Sequence, residues 1–146
     1  MISGRLALAF LAVVAVGCAS RPLSESLALT ASLQGRTLQV MWGSALPRGA
    51  VLFIAVRHAR FNPETSDYRR DRIVQLGFDE STQTFDLSGW PPGEVHATLT
   101  FRPLAQLDEG VVAAAGPNGE RLGGSQLKTD ASGQRYLEIA IVLSLD

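Results

Sequence analysis

Leu27, Leu29, Ala31 and Leu33 alternate with small or polar residues, and after Gln34-Gly35-Arg36 the alternation resumes at Leu38, Val40 and Trp42. Successive strand side chains point to opposite faces, so a period of two broken by a glycine predicts a first β-hairpin. The run from Ala50 to Val56 is apolar at every position and is flanked by Pro47 and Gly49. That pattern predicts a central strand covered on both faces. Val74, Leu76 and Phe78 repeat the alternation, as do Phe85 and Leu87. A turn from Gly89 to Gly93, enclosing Trp90-Pro91-Pro92, then leads into the cleanest segment of the chain. There Val95, Ala97, Leu99 and Phe101 share one face, while Glu94, His96, Thr98, Thr100 and Arg102 share the other. Val111 to Ala115 reads as a further short strand, and Pro117-Asn118-Gly119 as a tight hairpin turn with positive φ at both Asn118 and Gly119. The row Leu137, Ile139, Ile141, Leu143 and Leu145 closes the pattern.

Behind the first two dozen residues, no stretch keeps a helical period over the length of a domain helix, and glycine and proline punctuate at short intervals. About eight or nine short strands at spacings near 10 residues predict an all-β protein, a single antiparallel β-sandwich of immunoglobulin or transthyretin-like kind. Residues 62–72 are polar, carry Pro63 and three arginines, and read as a long loop.

The N-terminus has a different pattern. Arg5 is the only charge before Cys18, an apolar run extends from Leu6 to Val16, and the run closes on Ala15-Val16-Gly17-Cys18. These features predict a secretory signal over residues 1–17. The run is too short for a bilayer core, which takes roughly 20 apolar residues. The closing tetrad resembles the bacterial lipobox, whose usual form is Leu-Ala-Gly-Cys. That resemblance implies cleavage before Cys18, a diacylglycerol on its sulfur and an acylated new N-terminus; a plain secretory signal with a free thiol is the alternative. By the same family's sorting rule, Ala19 in place of aspartate implies the outer membrane, with the domain in the periplasm. Residues 18–26 form a short tether carrying Pro22, with a reach of roughly a couple of nanometres at about 3.3 Å per residue. The β-sandwich domain is expected over residues 27–146.

Composition narrows the chemistry. Cleavage would leave 129 residues (146 − 17), enough for one domain. It would also move the formal charge from −1 to −2 through the loss of Arg5, so no global charge draws the chain to nucleic acid. Cys18 is the only cysteine, which excludes an internal disulfide. With only His58 and His96 besides, no compact spacing supplies the three or four ligands of a zinc site, so neither metal nor cofactor is expected. Ser88-Gly89 lacks the pattern of a nucleophile elbow. The pairs Asp79-Glu80 and Asp108-Glu109 read as turn acids, because neighbouring strand residues face opposite ways. The chain is therefore not expected to be an enzyme, although a site assembled only in three dimensions, for catalysis or for carrying a small ligand, stays open as an alternative.

Twelve of the thirteen basic residues are arginine, and only Lys128 is lysine. This bias suits fork-like binding of carboxylate or phosphate, and also follows from GC-rich coding. Arg57, His58 and Arg60, with Arg69, Arg70 and Arg72 beyond them, gather around the 62–72 segment. They are read either as a positive patch for anionic headgroups, a carboxylate or an acidic peptide, or as a solvated loop paired with Glu64, Asp67 and Asp71. Trp90 in its Pro-Pro turn is either a partly exposed anchor for a partner or a plug over the sandwich end. Arg57, His58, Arg60 and Trp90 are the candidate partner-binding residues, and Cys18 is the lipidation site.

Residues 46–57, Leu-Pro-Arg-Gly-Ala-Val-Leu-Phe-Ile-Ala-Val-Arg, resemble a segment of the periplasmic C-terminal domain of the cytochrome c maturation chaperone, where a Pro-bearing turn precedes a strand. Phe78-Asp79-Glu80-Ser81 resembles that domain's Leu-Asp-Asp-Ser turn. Residues 45–51 are also similar to the strand lead-in of small sandwich lipoproteins related to type III secretion pilotins, and residues 87–101 to a Pro-Gly turn of transthyretin-like modules. These resemblances imply a peptide-binding β-sandwich and supply no catalytic residues. The expectation is a lipid-anchored module, membrane-bound through its anchor, that serves another envelope protein as chaperone or assembly accessory.

Overall fold

The computed structural model describes residues 26–146; the expected signal segment 1–17, the expected lipidation site Cys18 and the expected tether up to residue 25 lie outside the described residues. Strands β1 (Leu27–Gln34) and β2 (Thr37–Ser44) form the expected hairpin. Its two-residue turn has glycine first, Gly35 at φ 61°, a conformation open to glycine without Cβ strain. Strands β3 (Val51–Asn62), β4 (Asp67–Gln75), β5 (Thr82–Asp86), β6 (Gly93–Phe101), β7 (Leu127–Thr129) and β8 (Arg135–Leu145) follow. They assemble as two antiparallel sheets, β1-β2-β5 and β4-β3-β6-β8-β7, packed face to face as an all-β sandwich.

Period two decides what the sheets bury. Leu38 and Val40 of β2, Leu52, Ile54 and Val56 of β3, and Leu99 and Phe101 of β6 are fully buried between the layers. Trp42 closes the β2 row, and its Nε1–H donates to the Glu80 carbonyl at 3.0 Å. Of the β8 row, Leu137 and Leu145 are buried at the ends, and Ile139, Ile141 and Leu143 between them are half-buried.

Four expectations are corrected. Residues 111–115 belong to a helix, α1 (Glu109–Ala115), and not to a strand. Asp108 caps it, its Oδ1 accepting from the amides of Gly110 at 2.9 Å and Val111 at 3.1 Å, so this acid is an N-cap. Val111 and Ala115, four residues apart, then bury one helical face. The Asn118-Gly119 turn does not join strands. Only Gly119, at φ 77°, is left-handed there, and its N–H donates to the Gly116 carbonyl. Residues 62–72 are not a long loop, because β3 runs to Asn62 and β4 starts at Asp67. The ladder and cross-strand side-chain contacts hold a polar segment in strand form where no buried face marks it. Finally, β3 is central but covered on one face only, since Val51, Phe53 and Ala55 remain half-exposed.

Two glutamine side chains close strand starts that a neighbouring strand pairs on one side only. Gln106 follows a 3₁₀ turn at Pro103–Ala105; its Oε1 accepts from the Val51 N–H at 2.7 Å, and its Nε2 donates to the Val51 carbonyl at 2.9 Å. Gln126 treats Leu27 in the same way, at 3.0 and 2.8 Å. Each amide acts as one unit of β-ladder. Gln106 is only 8% exposed, so water cannot replace it. Gln106→Leu leaves a buried N–H and C=O unpaired and should cost roughly 2–4 kcal/mol in urea unfolding; a loss below about 0.5 kcal/mol would show that the pairing contributes nothing.

Candidate functional site

The β3–β4 arm carries most of the candidate residues, and its register decides which of them meet. On the face turned away from the three-stranded sheet, Phe53, Ala55 and Arg57 stand opposite Ile73, Asp71 and Arg69. On the inner face, Leu52, Ile54 and Val56 stand opposite Val74, Arg72 and Arg70. On the other side of β3, strand β6 sets Thr100, Thr98 and His96 beside the outer row, and β8 extends it with Glu138, Ala140 and Val142.

This outer face is open and floored by small residues. A depression of about 480 Å³ is lined by Phe53, Ala55, Arg57, Asp71, Thr98 and Thr100, among others. A second, of about 370 Å³, shares Arg57, Thr98 and Glu138 with it and adds Phe61 and His96. The guanidinium groups of Arg57 and Arg69 lie 5.8 and 5.6 Å from the Phe61 ring centre, so one aromatic ring gathers two cations. Arg69 is paired with Asp71 at 2.7 Å, whereas Arg57 has no carboxylate within 4 Å among the described residues. Glu138 is engaged by Lys128 at 2.6 Å, which raises the lysine's pKa above its ordinary value. Ile73, 65% exposed beside Phe53, makes the rim of this face apolar.

The inner side of the arm is a packed aromatic cluster. His58 is 3% exposed and Trp90 4%, and with Tyr68 their ring centres lie 5.8–6.2 Å apart in tilted and edge-on pairs. Tyr68, at φ 58°, takes a left-handed backbone conformation within β4. The His58 Nδ1 accepts from the Arg60 amide at 3.0 Å, across the register shift of β3 between Arg57 and Asn62. Its buried Nε2 has no hydrogen-bond partner among the described residues. Gly93 permits this packing, since a Cβ there would come within 3.0 Å of that nitrogen. Arg70 covers the Trp90 ring at 5.5 Å, and Arg36 donates to the Trp90 carbonyl at 2.8 Å. Nearby, the hydroxyl and amide of Ser88 hold the Asp86 carboxyl below the ordinary aspartate value, and the charge of Arg70 acts in the same direction.

The four candidate residues therefore do not form one surface. Arg57 projects from the open face and Arg60 is exposed on the arm, whereas His58 and Trp90 are buried in the cluster. Trp90 plugs the sandwich end. His58 and His96 project from opposite faces of the sheet, because His96 pairs with Arg57 and His58 with Val95; the two imidazoles cannot share a metal ion. No cluster of three or more His, Cys, Asp or Glu suited to a metal occurs among the described residues. Sequence reasoning missed Phe53, Phe61, Tyr68 and Ile73. The only signal for them was the aromatic and β-branched content of a stretch whose pairing was unknown. Comparison of the chain with protein-family models and with curated proteins found no match.

The two kinds of candidate are separable by experiment. Trp90→Ala should lose roughly 3–5 kcal/mol of stability, as deletion of a buried aromatic does. Arg57→Ala should stay within about 0.5 kcal/mol of the wild type. Urea titration followed by circular dichroism measures both, and a destabilisation of Arg57→Ala equal to that of Trp90→Ala would overturn the division.

Proposed function

We propose that the protein is a lipid-anchored, periplasm-facing module of the outer membrane that binds another envelope protein as chaperone or assembly accessory. The observation that carries this reading is the open, half-apolar outer face of the five-stranded sheet, flanked by the exposed cations of the β3–β4 arm. Its depressions carry charged and hydroxyl side chains but are broad and solvent-facing, unlike the enclosed cavity that a small-molecule site uses. An extended polypeptide laid on such a face gains area burial from Phe53 and Ile73 and orientation from Arg57. The chaperone-like resemblance of residues 46–57 belongs to the same proposal, and so does the anchor at Cys18. A tether of a few residues would hold the face within a short distance of the membrane, where envelope partners are assembled.

Two measurements test it. Metabolic labelling with palmitate should mark the wild-type protein and not Cys18→Ser; retained label in the variant would exclude this anchor. A photo-crosslinking amino acid at Thr100, on the outer face, should give a discrete protein adduct in intact cells. The same group at Met41, 53% exposed on the far side of the three-stranded sheet, should not. Equal adducts from both positions, or none from Thr100, would count against a partner on this face.

A further inference from the structure

The free edge of the five-stranded sheet carries a more specific assignment, which rests on the reading that the sandwich binds a polypeptide. Strand β4 is terminal in its sheet and pairs only with β3. In an antiparallel ladder every second residue turns its N–H and C=O to the neighbour, and the alternate residues turn theirs away. Beyond the left-handed Tyr68, residues 69–75 of β4 keep continuous register with β3 and offer an edge of about 23 Å at roughly 3.3 Å per residue, enough for an added strand of ordinary length. At its two ends the Gln75 N–H is already donated to Asp79 Oδ2 at 2.6 Å, and the Arg69 carbonyl accepts from Arg70 Nη1 at 2.9 Å.

The side chains along that edge are not interchangeable. On the outer row, Arg69 and Asp71 satisfy each other and Ile73 is exposed. On the inner row, Arg70 and Arg72 are two residues apart, and neither has a carboxylate within 4 Å among the described residues. Their guanidinium groups lie over aromatic rings, Arg70 over Trp90 at the sandwich end at 5.5 Å and Arg72 over Phe85 of β5 at 5.7 Å. Two positioned cations at the strand's own repeat match two acids at positions i and i+2 of an added strand.

A second copy of the chain is a poor occupant. Antiparallel pairing of two β4 strands about a two-fold axis centred on residue 69, 70, 71 or 72 sets Arg69, Arg70, Asp71 or Arg72 against itself, and an axis on Ile73 sets Asp71 opposite Gln75, whose N–H is already donated to Asp79 Oδ2 at 2.6 Å. Like charges directly opposite destabilise a sheet. The charges that block self-pairing thus admit a partner of opposite sign. We infer that β4 is a strand-addition site for an extended segment of a partner protein with acidic residues two apart on one face and an apolar residue beside Ile73.

The probe is the fluorescent, end-capped octapeptide Thr-Val-Val-Glu-Thr-Glu-Thr-Thr, titrated by anisotropy into the full chain in neutral detergent at low salt. It should bind at least about tenfold more tightly than its Gln-for-Glu twin. The double variant Arg70→Glu with Arg72→Glu should reverse the preference toward the Lys-for-Glu twin, an outcome that an unfolded variant cannot give. N-methylation of alternate peptide residues should abolish binding in one phase and spare it in the other, as backbone pairing along one edge requires. Equal binding of the Glu and Gln peptides, or insensitivity to both N-methyl phases, would overturn the assignment. So would binding of phosphatidylglycerol vesicles through Arg70 and Arg72 without binding of the peptide, which would make the edge a membrane contact. Crosslinks from Thr100 do not involve β4, so the broader reading of an envelope partner stands or falls separately.

Discussion

The structure depends on one mismatch of areas: three strands are laid over five. Burial of a strand face is decided residue by residue through the two-residue period, and the β1-β2-β5 sheet lies against one face of its wider partner. Leu52, Ile54, Val56, Leu99 and Phe101 are sealed by that contact. Phe53, Ala55 and Thr100, one position out of phase, belong to the opposite face by geometry. The open face is thus a direct result of how the core is built.

The same mismatch shapes the rims. Where β4 outreaches the smaller sheet, its inner row changes from Val74 to Arg72 and Arg70, and these cations spread over Phe85 and Trp90 in place of an apolar seam. Stacking of this kind lets a charged group cover an aromatic surface while its polar edge stays wet. At the strand starts, where backbone groups would be buried without a neighbour, Gln106 and Gln126 substitute for one. Aromatic rings, arginines and glutamines here solve one problem, the termination of a sheet without leaving polar backbone or apolar rings bare. The proposed binding functions use what that solution leaves exposed.

The parts of the fold legible in the sequence are those whose burial leaves a periodic trace. The first hairpin, β6 and the β8 row follow from alternation because each has one face in the core. The β3–β4 arm left no such trace, since beyond Val56 its strands are solvated over most of their surface and their register comes from pairing. Helix α1 was hidden for a different reason. Val111 to Ala115 is apolar throughout, so its period is invisible, and only the capping role of Asp108 and the four-residue spacing of the buried pair reveal it.

By itself the sequence determined a single sandwich domain of antiparallel strands and the identity of most core residues, because hydrophobic periodicity is written into the order of residues. It also marked Arg57, His58, Arg60 and Trp90 as candidate partner-binding residues. Only the tertiary structure decided that His58 and Trp90 face inward while Arg57 faces out. A one-residue difference in phase separates the two sides of a sheet, and that phase is set by pairing with β4 and β6, which lie distant in sequence.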